Sequence, residues 1–596
     1  MRYIFDIETD GLLDELTCIH SLVLLNIDTG EMLSCPPDKY AFVMTIEEGL
    51  RELMNADLIV GHNIIKFDIP AIQKLYPWFQ PKGAVRDTIV CTRLIYTNLK
   101  ERDFAYRNKH PEFPTKLIGK HALEAWGHRL GEYKGDFKGP WTNWSEEMQS
   151  YCEQDTRVTY RLWSKLQAKN YSEQAIQLEH DFAQILFKQE QRGFHFDTEA
   201  GRKLYAELCK KRLDLEEQLK AIFPAWEERT PFTPKVNNAK RGYQKGVTID
   251  KVKVVEFNPN SRDHIANRLQ MLRGWKPSEF TEDGKPKVDE TVLEKLDWPE
   301  AKLLAEYLMI QKRIGQLAEG AQAWLKLEQN GRIHGQVVTN GAVTGRCTHK
   351  YPNITQVPAK GVPYGVECRS LFQPSPGFVL LGCDASGLEL RCLAHYMSKY
   401  DGGEYTKALL EGDIHTTNQL AAGLQTREQA KRFIYAFLYG AGDTKLGTVI
   451  GAGAAEGGKL RRRFLRQTPA LKRLKEDISL KVQAQGYLKG LDGRHLHIRS
   501  EHSALNTLLQ SAGALLVKQA TVFLYQELSE RGYAWGRDWV QVAHVHDELQ
   551  LEVKPELAET IGQIAVRCFE RAGEHFNFRC PITGEYRVGT SWAETH

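Results

Sequence analysis

With 596 residues the chain is too long for one hydrophobic core and should hold about three to five domains of roughly 100–200 residues each. Hydrophobic residues make up 42% and charged residues 26%, a balance that excludes collagenous, low-complexity and wholly disordered chains. Formal net charge is +3, yet residues 1–190 carry 22 Lys/Arg against 28 Asp/Glu and the remainder 57 against 48. Segment 427–475 has twelve basic and three acidic residues, Arg461, Arg462, Arg463 and Arg466 among them. Such an uneven basic side fits a polyanionic partner, or equally a solvated helix face. Eleven scattered cysteines with no C-x-x-C pair argue against a disulfide framework or zinc ribbon and suit a reducing cytoplasm. No apolar run nears the roughly 18–20 residues of a membrane span, and MRYIFDIETDG has no signal-peptide pattern.

In chain order, MRYIFDIETD and DLIVGHN read as strands, and HALEAWGHRLGE and SEEMQSYCEQDTRVTYRLWSKL as helices, the latter with a cap-like Ser at its start. Together they predict an α/β domain over the first 165 or so residues. Positions 170–220 have the period of long, charged helix. Prolines, glycines and basic residues then make 223–260 an exposed excursion. Helix resumes near 300–328, 331–400 mixes strands with turns, 404–490 is mainly helical, and VQVAHVHDELQLEV reads as strand–turn–strand. There is no internal repeat.

Three acidic pieces stand out near the N-terminus. Asp6 and Glu8 are two apart on a predicted strand and emerge from one face. Like charges so close repel unless a cation separates them, and a divalent metal does this well. Asp68 follows a strand and short turn, and Tyr151 and Asp155 share a helix face four residues apart. A lone D-x-E is usually a solvated turn. Four carboxylates and a phenol, each at an element end, are the apparatus to hold two magnesium ions and orient a water for phosphodiester hydrolysis, with Tyr151 hydrogen-bonded to the nucleophile.

Further on, FVLLGCDASGLELRCLAHYM places Asp384 directly after a hydrophobic run, and VAHVHDELQLEV places His546, Asp547 and Glu548 at a hairpin turn. Two aspartates from different strands, bridging two cations, make the other phosphoryl-transfer site, with a sugar hydroxyl as nucleophile. Between them Arg427, Lys431, Tyr435 and Tyr439 recur every four residues on one helix face that ends at Gly440–Ala441–Gly442. Two cations and two aromatics there suit a nucleoside triphosphate. Taken alone, such a stripe is more often a solvated basic face beside an aromatic core stripe.

The ordered set D-x-E, N-x-x-x-x-D, Y-x-x-x-D resembles the 3′–5′ exonuclease domain of proofreading DNA polymerases. D-x-S-x-x-E-L-R, R-x-x-x-K-x-x-x-Y-x-x-x-Y-G and H-D-E resemble the A, B and C motifs of family A (DNA polymerase I-like) polymerases. DASGLELRCLAHYM, AFLYGAGDTKLG, NGAVTGRCTHKYPNITQVP and ALNTLLQSAGALL look like the T-seven-type phage replicative branch, and the similarity runs almost end to end.

The resemblance implies an RNase H-like exonuclease domain (1–170) and a right-hand polymerase, α/β and α+β overall. Its parts would be a thumb (171–330), a palm (331–400 and 491–596) and fingers (401–490). It implies Asp384 and Asp547 as polymerase metal ligands, Glu548 as a supporting acid, and Asp6, Glu8, Asp68 and Asp155 as exonuclease ligands. Each centre would take two Mg2+ ions, for which Mn2+ can substitute. Arg427, Lys431 and His415 would hold the triphosphate. Tyr435 would pack on the incoming sugar, where Tyr rather than Phe implies acceptance of dideoxynucleotides. Glu389 would exclude ribonucleotides, and Arg346, Asn506, Gln510, His546 and Tyr439 would line primer–template DNA.

Implied partners are primer–template DNA and dNTPs in the cytoplasm of a phage-infected host, with a helicase–primase and a single-stranded-DNA-binding protein as further candidates. One departure matters. The stretch corresponding to the branch's long thioredoxin-capturing thumb insertion is short here (about 227–256), though basic, with six Lys/Arg and one Asp over 231–253. Thioredoxin dependence is therefore not expected. The alternatives are a nuclease that only grips DNA, a single-subunit RNA polymerase, and a non-enzymatic replication scaffold. The Asp384, Arg427, Lys431, Asp547 set opposes the first, Glu389 and the exonuclease acids the second, and the complete set of acids the third.

Overall fold

A computed structural model describes residues 1–41 and 43–596, which fall into two compact units. The first unit comprises Met1–Phe194, Gly335–Thr355 and Pro374–His596, and the second His195–His334 and Gln356–Gln373.

In the first unit the chain opens with strand Arg2–Thr9 at the centre of a five-stranded sheet. Ile19–Asn26 pairs with it antiparallel and Leu58–Gly61 parallel, and Met32–Cys35 and Ala84–Asp87 form the edges. Alternation buries Tyr3, Phe5 and Ile7 on one side of the central strand and Ile4 on the other. Helix Glu146–Gln167 packs on this sheet, and the Ser145 side chain accepts from Met148 N–H, the cap that its sequence predicts.

The unit's second sheet is fully antiparallel, in the order Trp539–Val545, Glu548–Val553, Val379–Ala385, Gly584–Gly589. Its first three strands in this order, β-branched and leucine-rich, are largely buried on both faces, and Gly584–Gly589 is the more exposed edge. Helix Ala504–Glu530 runs through this core. By length and composition it could cross a membrane, which the absence of one unbroken apolar run had hidden, but 89% of its most apolar window is buried in protein. All eleven cysteines are free.

The second unit pairs helices Thr198–Ile222 and Pro299–Ile314, joined by a Tyr307 hydroxyl donating to Glu216 at 2.9 Å. Positions 170–220 are thus two helices. Gly193, at φ 65° and ψ 162°, ends Glu173–Arg192 in a conformation that a side chain would strain. The excursion at 223–260 is ordered as a hairpin, Trp226–Phe232 with Ile249–Val255. Pro231 is tolerated because the hairpin has only edge strands.

Candidate active sites

In the N-terminal cluster one oxygen each of Asp6 and Glu8 and the Cys152 thiol lie within 4.8 Å of one another. Cys152 Sγ donates to the Asp6 carbonyl at 3.4 Å, so helix Glu146–Gln167 is fastened beside the acids. One residue before and three residues after it on that helix, Tyr151 and Asp155 arrive at the same place. Asp68 follows strand Leu58–Gly61 and a turn, as expected, and opens helix Asp68–Leu75. Its preceding turn is held by Asp87, which accepts from the backbone N–H of Asn63 (2.7 Å) and Ile65 (3.0 Å).

Burial first, then the neighbouring carboxylates, pushes Asp6 and Glu8 up, Glu8 to about 8. Burial beside Asp87 pushes Asp68 up to about 7. Asp155 is buried and raised too, but Lys134, ion-paired to its Oδ2, pulls back toward ionisation. Burial and these acids keep the Cys152 thiol well above its ordinary value, hence neutral. Asp155 Oδ1 is buried without a partner. Acids that cannot all ionise without a cation, one with an orphaned oxygen, fit a hard divalent ion. The Tyr151 phenol, lifted by burial to about 12, stays a hydrogen-bond donor.

The second cluster forms where strand Val379–Ala385 pairs with Glu548–Val553. Asp384 stands opposite Glu548, and Ala385 N–H donates to the Asp547 carbonyl at 3.3 Å. The turn His546–Asp547 is two residues long, with His546 in the left-handed region at φ 57°. Burial, then Asp547 and Glu548, raises Asp384 to about 7, and burial, then Glu389, raises Asp547. Asp384 Oδ1 also lacks a partner.

Glu548 differs. It is buried, but receives Trp592 Nε1 at 2.6 Å, Gln550 Nε2 at 2.5 Å and His596 Nδ1 at 2.6 Å, and these hydrogen bonds outweigh burial and hold it below the usual carboxylate range. It is a fixed anion, whereas Asp384 and Asp547 are the open ones. This cluster therefore also fits a divalent cation.

Helix Arg427–Leu438, capped by a reciprocal Thr426–Gln429 box, presents the expected stripe. Arg427 is exposed and tied to Asp413 at 2.6 Å, which also caps the helix bearing His415. Lys431 is exposed. Tyr435 is half-buried with the His415 ring 6.5 Å away, and the Tyr439 hydroxyl donates to Glu389 at 3.0 Å. Arg346 is close enough to bias the titration of His546, Asp547 and Tyr439. Asn506 and Gln510 share one face of helix Ala504–Glu530, where they bond each other at 2.9 Å. Among the described residues, neither forms a side-chain hydrogen bond with Asp384 or Asp547.

Sequence reasoning missed Lys134, Cys152, Asp87, Trp592 and His596. Only Cys152 carried a usable signal, lying one residue after Tyr151 on a helix already placed at the acids.

Residues 237–594 match DNA polymerase family A. DNA-directed DNA polymerases of Enterobacteria phage T3 and Escherichia phage T7 are each 39% identical to the chain over a 704-residue alignment spanning 99% of both partners. The POL domain of Pol1 from M. smegmatis, in complex with DNA primer-template and dNTP, shares the fold at TM-score 0.75 and 16% identity, covering 100% of this chain and 97% of that one. With the family match running through the second acid cluster and phage relatives aligned from end to end, the chain belongs to DNA polymerase family A.

Proposed function

We propose that the chain extends a primer 3′-hydroxyl with dNTPs on a DNA template at the Asp384–Asp547 centre, and removes mispaired 3′ ends at the Asp6, Glu8, Asp68, Asp155 centre, in replication of a phage genome. The observation that carries this reading is the meeting of Asp384, on one strand, and Asp547, in the turn that leads into the adjoining strand and distant in sequence, with an Asp384 carboxylate oxygen left without a partner. Residues 1–170 would be the exonuclease domain, 171–330 the thumb, 331–400 and 491–596 the palm, and 401–490 the fingers.

Family A DNA polymerases use divalent metal ions. Two Mg2+ at each centre, held by the acids just named, would supply Lewis acidity and charge neutralisation at the phosphorus under attack. The chain's own groups do the rest. Arg427, Lys431 and His415 bind the triphosphate, and release of Arg427 from Asp413 is part of that binding. Tyr435 packs against the sugar. Glu389, held by Tyr439, fills the space a 2′-hydroxyl needs. Arg346, His546, Asn506, Gln510 and Tyr439 face primer–template and read its shape. Glu548 keeps a fixed negative charge behind the acid pair, and Tyr151 donates a hydrogen bond to the attacking water.

The test is a labelled primer–template with Mg2+, with and without the four dNTPs. Lengthening with dNTPs and shortening without them is expected. No lengthening would overturn the reading.

A further inference from the structure

The N-terminal acid cluster contains a lysine ion-paired to one of its proposed metal-binding acids. Lys134 Nζ is ion-paired with Asp155 Oδ2 and lies 4.7 Å from the centre of the Tyr151 ring. Among the described residues no Lys or Arg forms an ion pair with the carboxylate of Asp384 or Asp547.

The lysine does not arrive by a swing of a loose loop. On one side of it the Gln154 amide donates to Glu132 Oε1 (3.1 Å) and to the Tyr133 carbonyl (2.8 Å). On the other, Gly135 lies so close to Tyr151 that a Cβ there would sit 2.6 Å from the ring. Further along, Trp141 and Phe137 lean on the same ring at 6.2 and 5.9 Å, and the Trp141 carbonyl bonds His20 at 3.0 Å. The backbone around residue 134 is therefore pinned to the helix that carries Asp155, and the ammonium is delivered into the cluster by construction. Its side chain keeps 29% exposure, a route by which it can withdraw to water without unfolding the segment.

We propose that Lys134 is a resident counter-cation of this cluster that competes with an incoming divalent ion at Asp155, so that the exonuclease centre fills at higher metal concentration than the polymerase centre. The inference rests on the reading of the cluster as the exonuclease site. Four carboxylates can stay together with a single nearby cation only by forgoing part of their charge. A divalent ion does the same work with twice the charge, but has to expel the ammonium from Asp155 first, and no such expulsion precedes binding at Asp384 and Asp547. Scarce metal then favours synthesis over editing.

The experiment is direct Mn2+ binding, read as loss of the free-ion electron paramagnetic resonance signal, in the full chain carrying Asp384→Asn and Asp547→Asn to silence the second centre. Lys134→Met, which keeps the stem and removes the charge, is expected to lower the Mn2+ dissociation constant at least about threefold. Lys134→Arg, which keeps the charge, is expected to leave it within about twofold. An unchanged or weaker affinity in Lys134→Met overturns the proposal. Adding Asp6→Ala and Glu8→Ala separates the two ideas. Mn2+ binding that survives those changes places the ion elsewhere and defeats the site reading itself, whatever Lys134 does. In the chain with an intact second centre, Lys134→Met is also expected to lower the Mg2+ half-saturation of single-strand degradation without moving that of primer extension.

Discussion

Asp384 and Glu548 face each other across one strand pair, yet their surroundings divide their tasks. Three donors fix Glu548 as an anion, whereas Asp384 has an unpartnered oxygen and a carboxyl raised to about 7. Asp384→Asn or Asp547→Asn is accordingly expected to cut primer extension by at least about a thousandfold while single-strand degradation persists, and Asp6→Ala with Glu8→Ala to do the reverse. Paired gel assays check both, and near-normal extension by either aspartate variant would place the chemistry elsewhere. The raised acids also set a pH dependence. Glu8, Asp68 and Asp384 bind protons in the fold at pH values where the unfolded chain has released them, so their contribution to stability is lost as pH rises through about 7 to 8. A bound divalent ion requires the ionised acids and reverses that loss. The Mg2+-induced rise in melting temperature is therefore expected to grow from pH 5.5 to pH 8, and a rise that is constant or shrinks with pH would contradict it.

Elements whose function follows their own period were legible in the sequence. The alternation of MRYIFDIETD put Asp6 and Glu8 on one strand face, and the four-residue recurrence of Arg427, Lys431, Tyr435 and Tyr439 gave a helix that ends where the glycines begin. What escaped was set by partners remote in sequence or by a single backbone conformation. Lys134 sits in a Gly-rich connection with no period, His596 meets Glu548 only through folding, and one glycine conformation at Gly193 divides what reads as one helix. The 223–260 segment carried breakers that masked a hairpin, because strand pairing depends on a partner strand that composition does not reveal. That hairpin is small. Its strands are seven residues each, and its tip between them carries Lys235, Lys240, Arg241 and Lys245 with no acid. So short an element offers little area for capturing a protein, so primer extension on a long single-stranded template is expected to give the same product lengths with and without reduced thioredoxin. A large gain would show that the hairpin captures it.

Across the whole molecule, the first unit is bound together by charge buried far from either acid cluster. Glu179, on helix Glu173–Arg192 and fully buried, takes Lys518 at 2.6 Å from helix Ala504–Glu530 and Arg494 at 2.7 Å, and Arg494 in turn holds Asp492 at 2.7 Å. Lys518 further donates to the Thr339 carbonyl at 2.7 Å, and Arg494 Nη1 to Asn340 Oδ1 at 3.1 Å. Segments from four parts of the chain thus meet at one carboxylate. Replacing Glu179 with Leu leaves Arg494 its Asp492 partner but strands the Lys518 ammonium with a single carbonyl, an uncompensated buried charge costing about 3–5 kcal/mol. Glu179→Leu with Lys518→Met removes both charges and should recover most of that loss, since apolar side chains of similar volume replace a buried pair at little cost. Thermal unfolding followed by near-ultraviolet circular dichroism is expected to show a lowered transition in the single variant and a largely restored one in the double. Because the network joins the N-terminal α/β portion to the helix behind the Asp384 sheet, the single variant should loosen both clusters together, weakening degradation and extension in parallel at temperatures just below its transition. Loss of one activity alone under those conditions would mean that the two clusters do not share this support.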